Sequence, residues 1–177
     1  MPEGRTQRDG FQLSADLSRI QAAVRLNPNR MTVELARDLG VAEVEIVRAL
    51  PDGRAVELDV HRWEELIRSF EELGKVRVIV SNRGATAELT GQFGGFSTTG
   101  DYFNVQSKTL DMHIRWGELA AVFAVEKPGH MDGMTTLSIQ FFDQIGAAAF
   151  KVFLNFGRRA STARVAQFAR LRERFRR

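Results

Sequence analysis

Thr109 to Trp116 reads TLDMHIRW, and in it Leu110, Met112, Ile114 and Trp116 alternate with Thr109, Asp111, His113 and Arg115. A period of two marks a strand with one apolar and one polar face. His113 therefore stands on the polar face, held from behind by a rigid strand, with Arg115 on the same side roughly 7 Å away by strand geometry. Outward from this stretch, Asp101 to Leu154 reads as consecutive strands carrying Tyr102, Lys127 and Lys151 among aromatic and aliphatic residues. From Val76 onward, VRVIV, ATAELTGQF, the segment around DYFNV, LDMHIRW, LAAVFAVE, TLSIQFF and AAFKVFL are six or seven strand candidates rich in β-branched and aromatic residues. Their links are short: Asn82-Arg83-Gly84, Gly94-Gly95, Gly129 to Gly133 and Asp143 to Gly146. Short links between consecutive strands mean antiparallel hairpins, hence a large meandering sheet.

Ahead of the sheet the apolar period is helical. Residues 1–14 are polar and read as a flexible terminus, and a first helix starts at Ser14, running through Leu17, Ile20, Ala23 and Val24 to Leu26 before Asn27-Pro28-Asn29. Thr32 is placed to cap VELARDLG, which stops at Gly40, and VAEVEIVRAL repeats the spacing through Val41, Val44, Val47 and Leu50 until Pro51. HRWEELIRSFEELG sets Trp63, Leu66, Ile67, Phe70 and Leu73 on one helical face and ends at Gly74. The chain closes on STARVAQFARLRERF, capped by Ser161 or Thr162, with Phe168, Leu171 and Phe175 on one stripe. The expected class is α+β: one domain over 15–177, helical over 15–74, a sheet over 76–154, and a C-terminal helix over 161–176.

Composition narrows the chemistry. The 177 residues include no cysteine, which excludes disulfides, thiolate metal sites and cysteine nucleophiles. The longest apolar run, Leu119 to Val125, falls far short of the ~20 residues that span a bilayer, so a soluble, unexported, cytoplasmic protein without membrane insertion is expected. The net charge is +3, with eight arginines against one glutamate between Arg158 and Arg177; the remainder is slightly acidic and carries no field suited to nucleic acid. The two short helices around Gly40 have the outline of a helix-turn-helix. Glu43 and Glu45, however, occupy the early positions of the second helix that approach DNA, where phosphates repel carboxylates. A packing role fits this pair better than DNA binding.

His61, His113 and His130 have no i, i+4 histidine partner and no HExxH arrangement, so a zinc hydrolase finds no ligands. There is no phosphate loop and no GxSxG, and GQFGG at Gly91 to Gly95 lies between strands rather than opening a helix. What remains is His113, the single tyrosine Tyr102, basic residues and a phenylalanine-rich sheet, an inventory that suits a flat apolar ligand with anionic edges. A porphyrin is such a molecule: imidazole or phenolate takes the iron, aromatic walls hold the ring, and arginine or lysine meets the propionates. Arg115 is placed to meet one of them.

LARDLGVAEVEIVRALP, VRVIVSNRGATAEL, DYFNV, LDMHIR and IQFFDQIGAAAFKVFL, followed by a helix with Gln167 and Phe168, resemble in order and spacing the ChuX/HutX family of cytosolic haem-utilisation carriers, which are related to each half of HemS-type haem proteins. The resemblance runs from about Thr32 to Leu171. It implies an intracellular haem (heme b) carrier or buffer in haem uptake and iron acquisition, a homodimer, and transfer of haem to a degrading or storing enzyme. It places an iron-ligating histidine on His113; the residues themselves add Arg115 as a propionate contact and Tyr102 as a further cofactor contact or second ligand. A second histidine of some relatives falls on Ser81, a poor iron ligand. The alternatives are a haem-degrading enzyme, since the haem itself supplies the oxygen chemistry, and a helix-turn-helix regulator.

Overall fold

Glycine placement decides how the strands divide. In the computed structural model, which describes residues 6–131 and 133–177 with the backbone alone for 6–15, the chain leaves one sheet and enters another at Gly94-Gly95. Gly95 has φ +62, and a Cβ there would lie 2.1 Å from the Gln106 carbonyl oxygen, so only glycine makes this crossing. The expected meander is accordingly two antiparallel sheets.

The first elements are helices: α1 (Thr6–Leu26), α2 (Thr32–Leu39) and α3 (Glu43–Arg48). Strand β1 (Ala55–Leu58) follows, then α4 (Trp63–Ser69) between two 3-10 turns, Val60–Arg62 and Phe70–Leu73. The strands are β2 (Lys75–Ser81), β3 (Thr86–Gln92), β4 (Phe96–Thr99), β5 (Tyr102–Gln106), β6 (Asp111–Arg115), β7 (Leu119–Pro128), β8 (Thr135–Asp143) and β9 (Ala148–Phe153), and helix α5 (Thr162–Phe175) ends the chain. The large sheet has the order β1-β7-β8-β9-β2-β3 and the small one β4-β5-β6. Hairpins join β7-β8-β9, β2-β3 and β4-β5-β6 as the short links require, whereas β9 beside β2 and β1 beside β7 are pairings between distant segments.

The two sheets face each other across the main core. Phe103, Val105 and Ile114 of the small sheet and Val76, Val78, Val122, Ile139, Phe141 and Val152 of the large one point into it. The helical stripes close its ends: Leu66, Ile67 and Phe70 from α4 with its following turn, and Phe168, Leu171 and Phe175 from α5. Trp63 meets Phe103 edge-on at 5.2 Å, and Phe141 stacks on Phe150 at 4.3 Å. Each of the buried rings, Phe103, Phe141 and Phe150, contributes about 1.5–3 kcal/mol relative to exposure. Helix α5 is capped at Ser161, which accepts from Arg164 N–H, and is anchored where the Arg164 guanidinium donates to the Leu73 and Lys75 carbonyls.

Helices α1–α3 sit on the opposite face of the large sheet. Val44 and Val47 of α3 pack on Ala121, Phe123, Val125 and Phe142, and Ile46 joins Ile20, Val24, Leu35 and Ala36 in a separate cluster. Three expectations are corrected here. Helix α1 begins at Thr6, ahead of Ser14, so the flexible stretch expected over 1–14 is helical from Thr6, and residues 1–5 lie outside the described residues. Thr32 does not cap α2: its hydroxyl donates to Glu43 Oε1 at 2.6 Å. Glu43 is therefore not an exposed base-reading position. It is 7% exposed and paired at 2.5 Å with Lys151 Nζ on β9, which pins the start of α3 to the sheet. Burying an ion pair is tolerable only with such further hydrogen bonds.

Candidate functional site

The pairing of β5 with β6 sets Tyr102 opposite Arg115 and Asn104 opposite His113. Because side chains alternate, these four share one face, the one turned away from the core that Phe103, Val105 and Ile114 enter. On β4, Ser97 faces Asn104 and Thr99 faces Tyr102, adding two hydroxyls to the same face. The three residues expected at the site, His113, Arg115 and Tyr102, are thus brought together. The Arg115 guanidinium lies 6.0 Å from the Tyr102 ring centroid, a cation over a π face, and the ring is 42% exposed.

His113 is fixed at one ring nitrogen and open at the other. Its Nδ1 lies 2.8 Å from Asn104 Oδ1, while Nε2 faces outward, 3.6 Å from the exposed Asp111 carboxylate. The side chain is 54% exposed. Asn104 beneath it is buried and its amide donates to Ser97 Oγ at 3.1 Å and Thr99 Oγ1 at 3.2 Å. Asn104 was missed from sequence, although DYFNVQ alternates Tyr102, Asn104 and Gln106 with Phe103 and Val105, the same signal that exposed His113.

A second polar surface lies on the outer face of the large sheet, beside α1–α3. Strand register places Lys127, Thr136, Ser138, Gln140, Lys151 and Arg77 on it. Gln140 donates to Ser138 Oγ at 3.0 Å, but its Oε1 is buried with no hydrogen-bond partner among the described residues, and the same holds for Arg77 Nε. Arg77 also bridges to Glu88 at 3.0 Å and lies over the Phe156 ring at 4.4 Å. Lys127 donates to the Pro128 carbonyl at 2.7 Å and has no acidic partner among the described residues. Burial, and then the neighbouring charges of Lys151 and Arg54, pull its amine down from 10.5 to about 8. Buried polar atoms without partners are rare; here one is an acceptor, Gln140 Oε1, and one a donor, Arg77 Nε–H. Lys127 and Lys151 stand out singly in the sequence, but their convergence depends on register across four strands.

The two faces point away from each other, with the main core between them. Ser81 belongs to the large-sheet side, at the end of β2, where its hydroxyl donates to Thr86 Oγ1 at 3.0 Å. Residues at positions 81 and 113 therefore cannot approach one iron from its two sides within a single chain, and serine is in any case a poor iron ligand. His61 lies elsewhere again, its backbone N–H donating to Asp59 at the start of a 3-10 turn. Among the described residues no group of three or more acidic or histidine side chains is arranged to hold a bare metal ion, and no helix is long and apolar enough to cross a membrane.

A family model described as haem utilisation ChuX/HutX matches residues 56–171. This chain belongs to the ChuX/HutX family. Among curated relatives, the intracellular heme transport protein HutX of Vibrio cholerae is 26% identical over 129 residues, covering 72% of this chain and 66% of HutX, just under two thirds of its length. Among solved structures, the heme-binding protein ChuX is 24% identical with a TM-score of 0.76, covering 88% of this chain and 97% of ChuX. The heme-degrading enzyme ChuS of Escherichia coli O157:H7 is also 24% identical, with a TM-score of 0.73 over 92% of this chain and 47% of ChuS, so the ChuX/HutX chain spans about half of that enzyme. The α+β class expected from the strand pattern, antiparallel strands with a C-terminal helix, is thus the family fold, with the strands divided between two sheets. The matched stretch holds both polar faces apart from Glu43 and Thr32.

Proposed function

We propose that this chain is a cytoplasmic haem carrier whose iron ligand is His113. The observation that carries the reading is the imidazole itself: one nitrogen tied to a buried amide, the other presented on an open sheet face, in a chain of a haem-utilisation family. The residues present fit the group in kind. A nitrogen donor, a phenol ring and the guanidinium of Arg115 share the small-sheet face, as iron ligation and a propionate contact require. With no cysteine to attach it, the haem would be held non-covalently, as heme b is. When bound, it supplies redox and oxygen chemistry; the chain supplies a ligand, an orientation and an open exchange route, which suits a carrier that passes haem to a degrading or storing enzyme.

The Lys127 amine, without an acidic partner among the described residues, and the orphaned Arg77 Nε–H favour a second reading of where the ring's carboxylates go, namely the Lys127 face. Because the two faces diverge, one haem meets both only when it lies between two chains. A homodimer would then be part of the site rather than an accompaniment to it.

Absorbance titration with haemin tests the reading. Saturation at one haem per chain, with the Soret band shifted and affinity reduced in His113→Ala, supports ligation by His113. Loss of affinity in Lys127→Met and Arg77→Met with an unchanged coordination spectrum supports the second placement of the carboxylates. Addition of reductant and oxygen separates carrier from enzyme: persistence of the haem bands supports the carrier, and ring opening the degrading enzyme.

A further inference from the structure

Asn104 is 6% exposed and lies under His113, and its hydrogen-bonding capacity decides which imidazole nitrogen holds the proton. A carboxamide has two N–H donors and one carbonyl acceptor. With the NH2 toward β4, both donors are used, one on Ser97 Oγ and one on Thr99 Oγ1, and the carbonyl is left to accept from His113 Nδ1. With the amide reversed, the carbonyl would take the two hydroxyl protons, one N–H would reach Nδ1, and the other would be buried without a partner, at about 1–3 kcal/mol. Counting donors therefore selects the first arrangement and, with it, the Nδ1–H tautomer.

From this count we infer that Asn104 is the positioning residue of the haem site: it holds His113 as the Nδ1–H tautomer and so leaves the Nε2 lone pair free for iron. The inference rests on the proposed role of His113. One group opposes it. Asp111 lies 3.6 Å from Nε2 and would favour a proton there, but the separation exceeds a hydrogen bond and the carboxylate is 68% exposed, so water screens it. The buried amide outweighs it. The arrangement is that of a metal-bound histidine whose second nitrogen donates to an oxygen acceptor, which fixes ring orientation and raises ligand basicity.

The test begins without haem. Two-bond nitrogen–proton correlation spectra of the apo protein at neutral pH should show His113 with a protonated Nδ1 and a bare Nε2. Asn104→Asp keeps the acceptor and should retain this pattern. Asn104→Leu removes it and should shift the population toward Nε2–H, and Ser97→Ala combined with Thr99→Val, which keeps Asn104 itself, should shift it in the same direction. On adding haem, Asn104→Leu should lower affinity about 10–100-fold and move the ferrous iron–histidine stretch, with Asn104→Asp restoring both. An Nε2–H imidazole in the wild-type apo protein, unmoved by any of these variants, would overturn the assignment of Asn104 even if His113 proves to be the ligand. The expected tautomer together with a haem spectrum indifferent to His113→Ala would instead overturn the ligand reading, and the role of Asn104 toward haem with it.

Discussion

The two outer faces of the molecule differ in how their polar groups are satisfied. On the small sheet, Tyr102, Asn104, His113 and Arg115 are adjacent members of one hairpin, mostly exposed, and the buried amide among them has its bonds made. On the large sheet, Arg77, Lys127, Gln140 and Lys151 come from four strands, lie partly or wholly covered, and leave two buried atoms without partners among the described residues. A satisfied, open face presents a preformed ligand atom. On the half-covered one, the Lys127 amine and the Arg77 Nε–H call for an anion, while the Gln140 oxygen calls for a donor. A haem has an atom for the first and carboxylates for the second.

The sharpest way to break the comparison is to remove the contact that holds the helices over the large-sheet face. Glu43→Ala leaves Lys151 half-buried without its carboxylate and should cost about 3–5 kcal/mol, read as a lower urea midpoint with an unchanged slope. Native-like stability in this variant would mean that the pair does not anchor α3.

Lys127 gives a smaller, pH-dependent effect. Above about 8 the folded amine is neutral while the unfolded one keeps its proton to about 10.5, so the unfolded chain binds more protons and stability rises with pH across that window. Below about 8 the cost of the buried charge is fully present. Screening at a partly covered site reduces the full shift to roughly 1–2 kcal/mol. Melts of wild type and Lys127→Met from pH 7 to 10.5 should show the rise in the first and not in the second; parallel curves would mean that the amine is well solvated.

Smallest of all, Arg115→Ala should weaken haem binding less than tenfold and leave the coordination spectrum intact, as expected for an exposed guanidinium meeting a propionate. A changed spectrum with unchanged affinity would remove Arg115 from that role.

Sequence and structure agree where the determinants are local. LDMHIR shows its faces by alternation alone, and the apolar stripes of α4 and α5 bury the residues that their spacing selects. The division into two sheets was not readable, because it depends on Gly95 meeting Gln106 across space. Glu43 looked like a surface acid because its partner Lys151 lies far along the chain. Asn104 carried the same alternation as His113 and was passed over because an amide has no chemistry of its own; its importance appears only with Ser97 and Thr99 beside it. The large-sheet face was invisible for the same reason as the sheet division, since no short window contains it.

The most direct test of the account is the haemin titration of wild-type protein beside His113→Ala. Saturation at one haem per chain, with a Soret band that shifts and an affinity that falls in the variant, is the predicted result. An identical band and affinity in the two proteins would contradict the assignment of His113 and leave the Lys127 face to explain how this chain holds haem.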